Sequence, residues 1–252
     1  TGLLMPALAA PAANAFFVEC SLMASSILLL CAVVACGLLV WLAIREHRAA
    51  LAERHGLLRE AEDWLAESHL ALAPDAFPIV TGRTANERQV RLELIADTMV
   101  TRRLPQLWLR VTVAQPAGAT GPTIGALARP TGSEYYSAVH DMAAWMDPPK
   151  TGASMLMRGD GRATAAQAMR IRAAFRALFA DGKVKEAVVS PHSCRIIYQV
   201  SQGERASHMV LRQARFSLHT VPLETIQSVL RLALALDTLV SEPAGSAQYE
   251  AA

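Results

Sequence analysis

An α+β fold behind a single N-terminal transmembrane helix is what this sequence predicts, on three observations. Residues 21–44 contain no Asp, Glu, Lys, Arg, His, Asn, Gln or Pro. Residues 89–95 (QVRLELI) and 106–113 (QLWLRVTV) alternate apolar with polar, as strands with one wet face do. Two later segments, around Phe175 and around Leu230, repeat apolar residues at helical spacing.

The apolar run comes first in the argument. At about 1.5 Å per residue it is long enough to cross a hydrocarbon core of about 30 Å, and it carries no ionisable group that a proton relay or transport path would need. Residues 1–20 form an apolar segment expected outside the cytoplasm, where Pro6 and Pro11 argue against a second span. No Lys or Arg precedes the span, whereas Arg45, Arg48, Arg54 and Arg59 follow it, so the expected topology is N-terminus outside and the rest cytoplasmic. A secretory signal peptide would need a basic start, which is missing. Val33-Val34-Ala35-Cys36 fits a lipoprotein cleavage box but sits mid-span. Small residues, Ala32 and Cys36 among them, would let another helix approach closely.

Residues 45–73 are expected to carry this helix into water as an amphipathic juxtamembrane helix, with no breaker before Pro74. Leu51, Leu58, Leu65 and Leu72 recur every seven residues, flanked by Ala50, Leu57, Trp64 and Ala71. Arg54, Ala61 and Ser68 in the second seam position make a poor coiled coil, so the stripe suits either the chain's own domain or another chain's helix. Leu51, Leu58, Trp64 and Leu65 are its candidate contact residues. Arg45, Arg48 and Arg59 are candidates for anionic lipid head groups, each exposed Arg adding about 1 kcal/mol, although interspersed Glu46, Glu53 and Glu60 weaken that patch.

Residues 74–150 read as a strand-rich subdomain. Strands are expected at 77–81, 89–95 and 106–113, a Gly, Pro and Thr-rich loop or boundary at 116–132, and a short helix at 133–146 stopped by Asp147-Pro148-Pro149. Residues 151–242 read as an α/β subdomain. A strand at 155–157 runs into Gly159-Asp160-Gly161, and Thr164 then caps a helix with Gln167 as its reciprocal partner. Met169, Arg172, Phe175 and Phe179 line that helix until Asp181-Gly182 ends it. A hairpin pairs 184–189 with 195–200, a further strand covers 207–218, and Thr220 and Pro222 open a last helix with Ile226, Val229, Leu230, Ala233, Leu236 and Val240 on its apolar face. Residues 243–252 are small and polar and read as a tail.

Composition narrows the function. Of 24 basic residues only Lys150, Lys183 and Lys185 are lysine, an arginine bias expected of a GC-rich bacterial source. A net charge of +2 argues against a nucleic-acid partner. Four cysteines, at 20, 31, 36 and 194, fit neither a disulfide framework nor a metal cluster, and His47, His55 and His69 lack the i, i+4 spacing of a zinc pair.

The strongest candidate for chemistry is Cys194 with His192, two residues apart on an extended chain and so expected on one face. No third residue or oxyanion donor is apparent nearby. Gly159-Asp160-Gly161 lacks the remaining residues of a phosphate loop, and its acid would repel phosphate. His140-Asp141, Trp145 and the Tyr135-Tyr136 pair form a dense aromatic cluster of the kind found at interfaces and in cores.

The expected protein is therefore a non-catalytic accessory or scaffold subunit of a bacterial inner-membrane complex. Its partners would be other membrane subunits and lipids, or a second copy of itself, with no cofactor and no metal. The rivals are a membrane-tethered, hydrolase-like enzyme using Cys194 and His192, and a ligand-sensing domain, which would need a pocket that sequence does not reveal.

Overall fold

The computed structural model describes residues 10–98, 103–205 and 214–241. The chain divides into two units after Ala52. Helix α1 spans Ala10–His55, and from Leu28 to Ala49 its described side chains are exposed, Leu, Val and Trp41 included. A mean hydropathy of 2.5 over the most apolar stretch makes it long and apolar enough to cross a membrane.

The second unit is a sheet covered on one face by helices. Its strands are β1 (Ala66–Leu72), β2 (Pro78–Arg83), β3 (Gln89–Asp97), β4 (Gln106–Ala114), β5 (Ile124–Ala128), β6 (Ala144–Met146), β7 (Met155–Gly159), β8 (Val184–Val189) and β9 (Ser193–Gln202). They form one nine-stranded sheet in the order β1-β2-β3-β4-β9-β8-β5-β7-β6, antiparallel at every pairing. The alternating segments lie at its centre. Val90, Leu92 and Leu94 of β3 and Leu107, Leu109, Val111 and Val113 of β4 point into the core, and each fully buried side chain of this size contributes about 1.5–3 kcal/mol.

Helix α3 (Ala165–Leu178) begins at Thr164 with a reciprocal cap: Gln167 N donates to Thr164 Oγ1 over 3.2 Å and Thr164 N donates to Gln167 Oε1 over 2.9 Å. It buries Ile171, Phe175 and Leu178. Helix α4 (Leu223–Ser241) buries Ile226, Val229, Leu230, Ala233 and Leu236. Asp237 is also buried on α4, and Arg88 Nη2 meets its carboxylate at 2.6 Å while Gln115 Nε2 donates to the other oxygen.

Four expectations change. The expected helix over 45–73 ends early: α1 stops at His55, a 3-10 turn covers Gly56–Leu58, α2 (Arg59–Trp64) adds one more helical stretch, and residues 66–72 are strand β1. The reason is burial. Leu57, Leu58, Ala61 and Leu65 enter this chain's own core, and the segment is stitched there by Val221 N donating to Leu57 O (2.8 Å) and Leu223 N donating to Glu60 Oε2 (2.7 Å), a carboxylate at the α4 N-terminus.

The loop expected at 116–132 contains β5, fully buried and inserted between β8 and β7. That insertion joins 74–150 and 151–242 into one sheet. Its small residues carry no alternation, and Gly125 is needed because a Cβ there would meet Val139, Met142 and Val188 at 2.8–3.0 Å.

The helix expected at 133–146 is instead a turn, a 3-10 segment at Val139–Asp141 and edge strand β6. Glu134 turns back to accept from Thr131 N and Gly132 N, which competes with helix formation. The strand expected at 207–218 is reduced, in its described part, to one bridge between Phe216 and Gly203; residues 206–213 lie outside the described residues, as does the 243–252 tail.

Candidate functional site

Because side chains alternate along a strand, the residues between the core positions share the opposite face of the sheet. Register aligns Arg91, Thr112 and Arg195, and next to them Glu93, Arg110 and Glu186. Charges of opposite sign meet there: Arg110 Nη1 to Glu93 at 3.2 Å and Arg195 Nη2 to the buried Glu186 at 2.6 Å. Burial pulls the Arg110 guanidinium below its usual range, against the pull of Glu93.

The segment 131–142 is clamped over part of this face. Arg110 Nη2 donates to Tyr136 O (2.8 Å), Tyr136 Oη donates to Asp97 Oδ2 (3.1 Å), and Tyr136 packs with Ile95, Trp108 and Ile197. At the far end Lys185 Nζ donates to Glu134 Oε1 (2.8 Å) and to the carbonyls of Ala128 (3.0 Å) and Arg129 (2.9 Å). Burial works to raise the Glu134 pKa, but the hydrogen bonds from Lys185 and Thr131 outweigh it and hold the carboxyl at about 2.

Two cavities open on this part of the molecule. One of about 350 Å³ is lined by Glu67, Thr81, Arg83, Gln89, Arg91, Thr112 and His192, among others. The other, of about 340 Å³, is lined by Asp97, Arg103, Gln106, Trp108, Arg129, Gly182, Lys185, Gln199 and Gln202. Both fall within the size range of small-molecule sites.

The nucleophile pair does not assemble. Cys194 is wholly buried in the core, and burial pushes its thiol far above the ordinary range, whereas His192 is exposed in the turn between β8 and β9. The two do not share a face because the extended chain assumed for them begins only at Ser193. Asp160 serves its own turn: Oδ2 accepts from Thr123 N (2.9 Å) and Oδ1 from Arg162 N (3.0 Å), with Gly161 at φ +81°. Among the described residues no group of His, Cys, Asp and Glu could hold a metal ion.

The candidate contact residues divide. Ala32 and Cys36 are exposed on α1, and Leu51 is half-buried. Leu58 and Leu65 are buried in the chain's own core, the first of the two alternatives for the stripe, while Trp64 stays 37% exposed. Of the lipid candidates, Arg45 lies 5.6 Å over the Trp41 ring, and Arg48 and Arg59 are exposed. Of the aromatic cluster Tyr136 is buried, but Tyr135 and Trp145 are exposed, with the Arg158 guanidinium 4.1 Å from the Trp145 ring.

Fold and site define an α+β protein with one helix able to span a membrane and a helix-backed antiparallel sheet whose other face carries ion pairs beside small apolar clusters. The chain matches no protein-family model, no curated protein and no solved structure.

Proposed function

We propose that this chain is a non-catalytic docking subunit of a bacterial inner-membrane assembly. Helix α1 anchors it, with the N-terminus outside, the orientation that the Arg45, Arg48, Arg54 and Arg59 flank favours, and the sheet domain facing the cytoplasm.

The observation that carries the reading is the edge strand β1. It ends the sheet, and of its residues only Leu70 is partly covered. An edge of this length leaves backbone donors and acceptors ready to pair with a strand from another subunit. Exposed Trp64 and Leu72 flank the edge and add the apolar area that such contacts use. Burial of Cys194 in the core removes the support for the hydrolase-like alternative.

Purification from the native membrane in mild detergent, followed by native mass spectrometry, tests the proposal. The expected result is a fixed-ratio complex with another membrane protein that Leu72→Lys, a charge on the β1 edge, dissociates. A lone monomer overturns it, and a periplasmic location of the sheet domain overturns the stated topology.

A further inference from the structure

Strand β1 ends the sheet, and its pairing with β2 decides which of its backbone groups are open. Just past the strand, Ala73 N donates to Phe77 O (2.9 Å), a hydrogen-bonded pair. Antiparallel pairs alternate, so Leu72 stands opposite Pro78, which has no N–H to give, in a pair without hydrogen bonds, as does Leu70 opposite Val80. The N–H and C=O groups of Leu70 and Leu72 therefore point away from β2, toward the open edge. This opening is short. Pro74 closes one end, and at the other the register slips between Ala66 and His69, where Glu67 sits at φ +49° in a bulge.

The two faces beside this opening differ. Leu70 packs on the helix-side core, and Leu72, two residues on, shares that face but is 44% exposed. Ala71 and His69, both exposed, stand on the other face. Charge around the edge is negative. From Glu53 to Arg83 the chain has six carboxylates against three arginines, a net −3 in a chain of net +2. Arg83 is taken by Glu67 (2.9 Å) and Glu87 (3.4 Å), and the next arginines, Arg88 and Arg91, have carboxylates of their own in Asp237 and Glu93. Glu62, Asp63 and Asp75 have no ion-pair partner among the described residues. The first two precede β1 and the third follows it, so free carboxylates flank the open edge at both ends.

We infer that the β1 edge takes a short extended segment of a basic partner protein, with apolar residues opposite Leu70 and Leu72, a small or polar residue between them, and Lys or Arg on either side. This names the partner of the docking reading above and rests on it. The added strand pairs with the open groups of Leu70 and Leu72, its two apolar side chains lie on the face of Leu72, and its flanking cations reach the carboxylates at the two ends. Main-chain bonds supply affinity for any extended segment, and the charges select which one binds. A second copy of this chain is the poorer occupant, because it sets one negative edge against another.

Hydrogen exchange of the full chain in detergent, read by mass spectrometry over residues 66–72, tests this with two acetylated and amidated peptides, KKVTVKK and EEVTVEE. The basic peptide is expected to slow exchange at Leu70 and Leu72 saturably, and the acidic one to bind about tenfold more weakly or not at all. Asp63→Asn combined with Asp75→Asn, both on exposed side chains, leaves the fold intact and weakens the basic peptide about three- to tenfold, the loss of two surface charge pairs. No protection by the basic peptide, equal binding of the two peptides, or a β1 edge already protected by a second copy overturns the inference. The docking reading fails separately. A lone monomer from the native membrane removes that reading while binding of the basic peptide still supports the edge chemistry. A native complex that Leu72→Lys dissociates, without preference for the basic peptide, keeps the docking reading and overturns this inference alone.

Discussion

Lys185 Nζ sits 2.8 Å from Glu134 Oε1 with both side chains buried, at 4% and 1% exposure, so this ion pair ties the start of the 131–142 segment to strand β8 out of reach of water. An ion pair in that setting is sensitive to the loss of one partner and much less to the loss of both, because a lone buried charge has no compensation.

Glu134→Gln should accordingly cost about 3–5 kcal/mol, since it strands the Lys185 ammonium in the core. Lys185→Met should cost less, because Glu134 keeps Thr131 N, Thr131 Oγ1 and Gly132 N as donors. Urea unfolding in detergent, followed by far-UV circular dichroism, measures both. Equal costs would show that the backbone donors do not hold the carboxylate.

The same carboxyl gives a pH dependence. Its folded pKa of about 2 lies below the unfolded value, so the unfolded chain binds the proton more tightly. The contribution, up to roughly 3 kcal/mol, is fully present above about pH 5 and is lost as pH falls toward 2. The unfolding midpoint should drop between pH 6 and pH 3 by more in the parent chain than in Glu134→Gln. Parallel curves would assign the acid sensitivity to other groups.

Cys194 should resist alkylation at neutral pH in the folded chain and react only as fast as the domain opens, because its thiol is buried and held protonated. Mass spectrometry of the peptide that contains it reads the rate against urea concentration. Rapid labelling without urea would restore it as a candidate nucleophile.

Gly82 lets β1 cross close to β2. A Cβ there would meet Leu65 Cβ at 2.9 Å and Ala66 O at 3.0 Å, and a carbonyl on a paired strand cannot move away as a flexible side chain can. Gly82→Ala should destabilise by about 1–3 kcal/mol and raise hydrogen exchange first in β1. Unchanged exchange in 66–72 would mean that the edge strand adjusts freely.

Thr164→Ala removes the acceptor for Gln167 N at the start of α3 and should cost about 1 kcal/mol. Thr164→Asp should retain most of the stability, because its carboxylate accepts the same bond and favours the helix N-terminus. If both substitutions cost alike, the hydroxyl matters for something other than capping.

The parts of this fold legible in the sequence are those written in local periodicity. The apolar run in α1, the alternation in β3 and β4, the Thr164 and Gln167 cap and the α4 stripe each declare a local environment, wet, buried or capped, within a few residues. Neither the edge strand nor the charged cavity could be read that way. Residues 66–72 follow a helical heptad, yet pair with β2 because Leu58 and Leu65 are buried in the sheet core rather than against another helix. Strand β5 has no alternation because both of its faces are covered, and only its neighbours β7 and β8, far along the chain, define it as a strand.

By itself the sequence determined a helix apolar enough for a membrane, an antiparallel α+β class and the apolar face of α4, whereas on α3 Met169, expected on the buried face, is exposed. Tertiary structure alone decided that all nine strands share one sheet, that Cys194 is sealed away from His192, that Glu134 finds Lys185, and that Asp97, Arg103, Trp108 and Arg129 line one cavity. The division has a physical cause. Burial periodicity is set by each segment's own geometry, whereas strand order and the meeting of charges depend on hydrogen-bond register between segments distant in sequence, which no single segment encodes.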